Sequence, residues 1–220
     1  MIETFSIDDQ LAIPRTSGGM DYIVRGCAKK EFILDDHSSC FGMVTAGSLA
    51  LNGVFGPGEV VAGPGTYFAF PKGSIFPRAG CSALLIVCGR YTALPMLGAL
   101  EDSGRLRYVD GCSDTLLISP PRLGDPCLNH LHMPAGTNQR MHFHPSDRVG
   151  VVLRGNGECR TEDETVSLAA GQGWLISEGA QHCFRPEGSA MDVIAWHPDS
   201  DYGPTDENHP MINRTWTRPT

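Results

Sequence analysis

Two histidines one residue apart, His142 and His144, stand just ahead of the apolar run Val149-Gly150-Val151-Val152-Leu153, which closes at Gly155. No other stretch constrains the fold of this chain as strongly. Side chains alternate between the two faces of a strand, so an extended His-x-His pair presents both imidazoles on one side. The following run is rich in β-branched residues and ends at a glycine, the pattern of a buried strand closed by a turn. Paired imidazoles on a rigid extended backbone are a means of gripping a transition metal. If the strand runs regularly through Pro145, Arg148 shares the inward parity of the pair.

A third ligand must come from elsewhere in the chain. His182, in the segment Gly171 to His182 with Gly179 three residues before it, is the best candidate. Here the sequence resembles the cupin family. The family's first motif is Gly-x5-His-x-His-x3,4-Glu-x6-Gly and its second is Gly-x5-Pro-x-Gly-x2-His-x3-Asn. Gly136, His142, His144 and Gly155 match the first, and Gly171, Gly179 and His182 match the second. The likeness covers residues 136–186. It departs from the family at three positions: Arg148 replaces the metal-binding glutamate, Ser177 the proline and Pro186 the asparagine. The resemblance therefore implies a site of three histidines without a carboxylate.

The second motif has an echo upstream. Gly65, Pro71 and Gly73 keep its spacing, with Phe76 in the histidine position. Counting back from Gly47 by the first motif's spacing puts Cys40 at the glutamate position and Asp36 and Leu34 at the two histidine positions. Such an internal repeat predicts a duplicated architecture. The fold class expected is all-β, with tandem cupin (jelly-roll) barrels. Residues 1–98 are expected to form a degenerate barrel without metal ligands, 99–112 a linker, 113–197 the metal-binding barrel and 198–220 an irregular tail, with a short helical turn within 93–102. Within the first unit, residues 1–15 read as a polar lead-in that forms an edge strand against a neighbouring subunit.

Several polar residues surround the three histidines in sequence. Arg148 is read as an anion clamp for a substrate carboxylate; the alternative is a pairing with Asp147 or Glu178 at the barrel mouth. Arg140 has inward parity and is expected to touch substrate. Asp147 has the wrong parity for a fourth ligand. His130 and His132 form a second His-x-His one strand earlier, either supporting the site or lying on an ordinary half-exposed strand. Trp174 and Phe184 read as packing, and His197 and His209, next to and within the irregular tail, as residues without a role.

The formal net charge of −8 argues against a nucleic-acid groove or an anionic membrane as partner. The eight cysteines contain no Cys-x-x-Cys and no secretory signal is visible, so reduced, buried thiols in a cytoplasmic protein are expected. Neutral imidazoles suit Fe(II), Zn, Ni, Cu or Co. Three-histidine cupins resemble thiol dioxygenases, gentisate-type ring-cleaving dioxygenases and diketone-cleaving enzymes. That likeness implies a mononuclear non-haem Fe(II) centre, held by His142, His144 and His182, and a homodimer. With no negative ligand in the set, a small anionic substrate would supply the charge. The alternatives are a non-oxidative isomerase, cyclase or lyase using Zn, Ni or Co, and a non-catalytic small-molecule-binding cupin.

Overall fold

The computed structural model describes residues 1–218; Pro219 and Thr220, at the end of the expected tail, lie outside them. Regular structure among the described residues is almost all strand, with 3-10 turns only at Val109–Gly111 and Ile212–Arg214. None of its helices is long and apolar enough to cross a membrane. The chain folds as two tandem β-barrels, each a large sheet facing a small one.

In the first barrel the large sheet runs, edge to edge, Met96–Ala99, Thr66–Phe70, Ser38–Ala46, Ser82–Gly89, Met20–Cys27 and Ala12–Ser17. Opposite lie Phe32–Leu34, Gly73–Pro77, Leu49–Asn52 and Glu59–Ala62. In the second barrel the order is Ile2–Phe5, Gly173–Ile176, Arg148–Arg154, Met191–His197, Cys127–Met133, Ser113–Ile118 and Leu106–Arg107. Opposite lie Thr165–Ala169, Asn156–Thr161 and His182–Pro186. The large sheets repeat one another position for position, apart from the extra strand Leu106–Arg107; in the small sheets Phe32–Leu34 is matched only by the single bridge at His142. The edge strands are exchanged: Ile2–Phe5 closes the sheet of the second barrel, and Met96–Ala99 takes the matching place in the first.

Both barrels share a packing device that fits the duplication. Gly42 faces Phe68 across the ladder of the first, and Gly150 faces Trp174 across that of the second. A Cβ on Gly42 would lie 2.3 Å from the Phe68 ring, and one on Gly150 2.3 Å from Trp174 and 1.9 Å from the carbonyl oxygen of Ile194. Each glycine lets a large ring lie flat over the backbone and cover it. The turn glycines Gly47 and Gly155 match in the same way, with φ of 61° and 74°, a region open to glycine at little cost.

Strand alternation divides the apolar residues into separate cores. Ala83, Leu85 and Val87 enter the first barrel, while Leu84, Ile86 and Cys88 of the same strand face the second. Val149 and Val151 meet them from the other side, while Val152 enters the second barrel. These strands read as unbroken apolar runs because both of their faces are buried. Each fully buried Val, Leu, Ile or Phe is worth roughly 1.5–3 kcal/mol, so the contact between the barrels is a core in its own right.

Within residues 1–15, Ile2–Phe5 is an edge strand that pairs inside the chain, with Gly173–Ile176 of the second barrel. The structure corrects two expectations. The expected helical turn in 93–102 is instead the strand Met96–Ala99, because pairing with the open edge at Thr66–Phe70 overrides local helix preference. Phe76 does not occupy the His182 position. Leu34 pairs with Gly73 as His142 pairs with His182. Only Pro71 and Lys72 precede that strand in the first barrel, whereas Ser177 to Gln181 precede it in the second, so motif spacing misplaces it by three residues. Leu34 and Cys40 are buried in an apolar core, and Asp36 is exposed. All eight cysteines are buried and unpaired.

Candidate metal site

A loop carrying His142 and His144 and the first residue of the strand His182–Pro186 bring the histidines together. His142 and His182 exchange backbone hydrogen bonds of 2.9 and 2.8 Å, and the N–H of Gly179 donates to the carbonyl of His144 at 2.9 Å. His142 and His144 are not part of a long regular strand. The ladder is a single bridge at His142, and the strand proper begins at Arg148. The three rings nevertheless converge, with centroids 5.1 Å apart for His142–His144, 4.5 Å for His142–His182 and 5.2 Å for His144–His182. One nitrogen from each lies within 4.8 Å of the others.

Hydrogen bonds orient two of the rings for ligation. The Nδ1 atoms of His142 and His182 lie 2.9 Å from the carbonyls of Arg140 and Ala180. A carbonyl only accepts, so each Nδ1 carries the proton and each Nε2 presents a lone pair, as in a metal-ligating histidine held by an outer partner. Burial, then the nearby charge of Arg148, lowers His144 to about 2. Burial likewise lowers His182 to about 4. Both rings are therefore neutral at physiological pH, the form a metal needs.

These shifts have a consequence in the metal-free protein. An unfolded histidine charges below about 6.5, whereas His144, His182 and the buried His197, lowered to about 4, resist protonation while folded. Below that pH the unfolded chain binds more protons, so the stability present above it is lost as pH falls. The melting temperature of chelator-treated protein is expected to be lower at pH 5 than at pH 7.5. An unchanged or higher value at pH 5 would contradict neutral buried rings.

The histidines open into a cavity of about 220 Å³, with Trp174, Phe184, Leu131 and Val193 as apolar walls and Tyr108, Asp114, Asn129, Arg148 and His197 as polar ones; the Asp114 carboxylate accepts from Asn129. Arg148 makes no ion pair among the described residues. Its NH1 donates to the Ser146 carbonyl and hydroxyl and to the Asp147 carbonyl, at 3.2, 2.7 and 3.1 Å. Its Nε and NH2 make no hydrogen bond within the described residues. Burial disfavours its charge, and an arginine so placed calls for an anion from outside.

Asp147 is buried and points away from the cavity. Arg15 Nε donates to its carboxylate at 3.0 Å, the Tyr22 hydroxyl at 2.7 Å and the Glu178 N–H at 2.8 Å. Burial raises the pKa of this carboxyl, but these hydrogen bonds outweigh it and the net shift is downward. Arg15 and Tyr22 belong to the first barrel, so Asp147 ties that barrel to the loop between His144 and Arg148.

The structure brings His142, His144, His182 and Arg148 together, and leaves Arg140 out. Arg140 has a side chain 80% exposed and paired with Asp110 at 2.8 Å. Parity misled there because residues 138–141 are not in a strand. His130 and His132 lie on the opposite face of their strand from Asn129 and Leu131. Both bond Asp192, at 2.8 and 2.9 Å, and Arg154 meets the other oxygen of that carboxylate at 3.0 Å. They support the contact between the barrels, not the histidine cluster. His197, read from sequence as idle, lines the cavity at the end of Met191–His197. Its Nδ1 donates to the Asp199 carbonyl, and the Cys127 thiol, pushed up to about 12 by burial, lies 2.9 Å from its Nε2. Its parity with Val193 and Ala195 was the available signal. Tyr108 and Asn129 were also missed: pairing of Cys127–Met133 with Met191–His197 places Asn129, and Tyr108 enters from the turn before Val109–Gly111.

Comparison with known proteins agrees with this geometry. Residues 129–197 match the family model described as the cupin domain. No curated protein matches by sequence. Among solved structures, a cupin 2 conserved barrel domain protein from Leptotrichia buccalis superposes with a TM-score of 0.62 at 14% identity, covering 90% of this chain and 89% of that one. Salicylate 1,2-dioxygenase from Pseudaminobacter salicylatoxidans superposes with a TM-score of 0.63 at 10% identity, covering 90% and 84%. That enzyme is also known as adducts with gentisate, and in that form its TM-score is 0.64. Identities this low establish a shared fold.

Proposed function

We propose that this chain, whose residues 129–197 form a cupin domain, is a mononuclear non-haem iron dioxygenase acting on a small carboxylate-bearing substrate. The observation that carries the reading is the unpaired Arg148 beside three converging imidazoles. The donor set fits an N-ligand metal: it has no carboxylate, burial keeps His144 and His182 uncharged, and His142 and His182 are held through Nδ1 with Nε2 turned to the cluster. Fe(II) is favoured, and Zn, Ni, Cu or Co suit the same set. A bound Fe(II) would supply electrons for reaction with O2 and a Lewis-acid position for a substrate heteroatom.

The protein's own groups do the rest. Arg148 accepts the carboxylate on its free Nε and NH2 and orients the molecule. Trp174, Phe184 and Val193 keep bulk water from the walls. A cavity of about 220 Å³ is below the usual range of drug-sized pockets, roughly 300–1,000 Å³, and so restricts the substrate to few heavy atoms. The likeness to a salicylate dioxygenase supports the reading at the level of fold.

Anaerobic loading with Fe(II), followed by oxygen uptake on small aromatic carboxylates, thiol carboxylates and diketones, tests the proposal. Stoichiometric iron and substrate-dependent oxygen consumption are expected. Arg148→Met should raise KM for a carboxylate substrate by about 10–100-fold, the value of a charge-assisted hydrogen bond of about 1.5–3 kcal/mol. Absence of iron affinity sinks the proposal, and turnover that ignores oxygen replaces it with a Lewis-acid isomerase or lyase.

A further inference from the structure

The first barrel has lost the histidines but keeps an opening in the same place. A cavity of about 530 Å³ is lined by Ile23, Arg25, Phe32, Leu34 and Val87 among others. Strand register relates it to the histidine-lined cavity of the second barrel. Leu85 pairs with Gly42 and Arg25 as Ala195 pairs with Gly150 and Asn129, and Val87 pairs with Ile23 as His197 pairs with Cys127, so Arg25 stands where the cavity-lining Asn129 stands. Leu34 stands where His142 stands. The degenerate barrel thus retains a pocket at its mouth, larger than the one beside the histidines.

Arg25 is the unusual residue in it. Its strand sends Tyr22 and Val24 to the contact between barrels, and Ile23, Arg25 and Cys27 to the inside of the first barrel. An arginine on an inward, apolar face is expected to find a carboxylate. Among the described residues Arg25 forms no ion pair; its guanidinium lies over the Phe32 ring, 5.6 Å from the centroid. Stacking on an aromatic face leaves the planar fork of donors available to an incoming acceptor. The walls beside it, Ile23, Leu34 and Val87, offer apolar surface to the body of a ligand.

The same cavity limits the charge of that ligand. Asp21 and Asp35 also line it. Asp21 accepts from Thr16 and Arg90 at 2.7 and 3.1 Å, and Asp35 from the His37 N–H at 3.0 Å. Both carboxyls are held below their ordinary range, Asp21 by its bonds from Thr16 and Arg90 and Asp35 by the Ser38 side chain and then the His37 N–H, which outweigh burial. Two fixed carboxylates repel a phosphate dianion more strongly than a monocarboxylate. A bidentate carboxylate–guanidinium pair with a flat apolar body against the walls satisfies both constraints.

We propose that the first barrel is a metal-independent binding site for a small organic monocarboxylate, with Arg25 as the residue that receives the carboxylate. The site is separate from the histidine cluster and does not depend on the function assigned there. Benzoate is a suitable probe, titrated calorimetrically into full-length, chelator-treated protein. An Arg148→Met background removes the competing anion position in the second barrel. Binding is expected to persist in that background, and to weaken by about 10–100-fold when Arg25→Met is added. Ile23→Trp, which fills the cavity and leaves Arg25 in place, should abolish it in the same background. Melting curves check that each variant is folded, and either variant alone suffices for the test. Loss of all benzoate binding in Arg148→Met, or full retention in folded Arg25→Met or Ile23→Trp, overturns the proposal.

Discussion

Replacing His182 with alanine is expected to lower affinity for Fe(II) or Zn(II) by more than about 100-fold, since losing even an outer partner of a ligand typically costs 10–100-fold. The change is selective because the backbone of residue 182, not its ring, forms the two-way bridge to His142. Alanine keeps those bonds. The truncated side chain enlarges a cavity that already exists beside it, so the metal-free fold should persist. Competition with a chromophoric chelator reads the affinity, elemental analysis reads the stoichiometry, and a melt without metal reads the fold. A folded variant with wild-type affinity would remove His182 from the ligand set and dissolve the proposed centre.

Asp147→Ala is expected to cost about 3 kcal/mol, at the lower end for breaking a buried ion pair because Arg15 is partly exposed. It strands the buried Tyr22 hydroxyl and the Arg15 guanidinium at once. For a chain of this size that corresponds to a melting temperature lower by about 6–12 °C. A metal-binding role for Asp147 would predict something else, a loss of affinity with little loss of stability. Combining Asp147→Ala with Arg15→Ala should cost less than the sum of the two, since they share one interaction. Additive effects would mean that the two barrels are not joined through this carboxylate. The first barrel therefore has a mechanical task as well as a pocket: Tyr22 and Arg15 hold the loop that carries His144 and Arg148.

Much of the candidate site was legible because its determinants are local. His142, His144 and His182 fall at fixed distances from glycines whose positive φ is a property of one residue, such as Gly155 at 74° and Gly179 at 72°. The apolar, β-branched run Val149 to Leu153 marked the central strand Arg148–Arg154. The inward placement of Arg148 was legible too, although the parity argument crossed Pro145, where the ladder is interrupted.

Where parity was applied outside a ladder it failed. Arg140 precedes the bridge at His142 and turns to Asp110. His130 and His132 obey parity, but which face of their strand meets the histidines is set by pairing with Met191–His197, sixty residues away. His197 and Asn129 enter the cavity for the same reason.

The sequence by itself determined the duplicated barrel plan, the three imidazoles and the loss of ligands in the first half, because these depend on residue type and on spacing within one turn or strand. Tertiary structure alone decided which barrel receives the strand Ile2–Phe5, which polar residues share the cavity and how Asp147 joins the two halves. A strand edge can be completed by any segment that reaches it, and a buried charge by any partner the packing delivers; neither choice is encoded in the neighbouring residues.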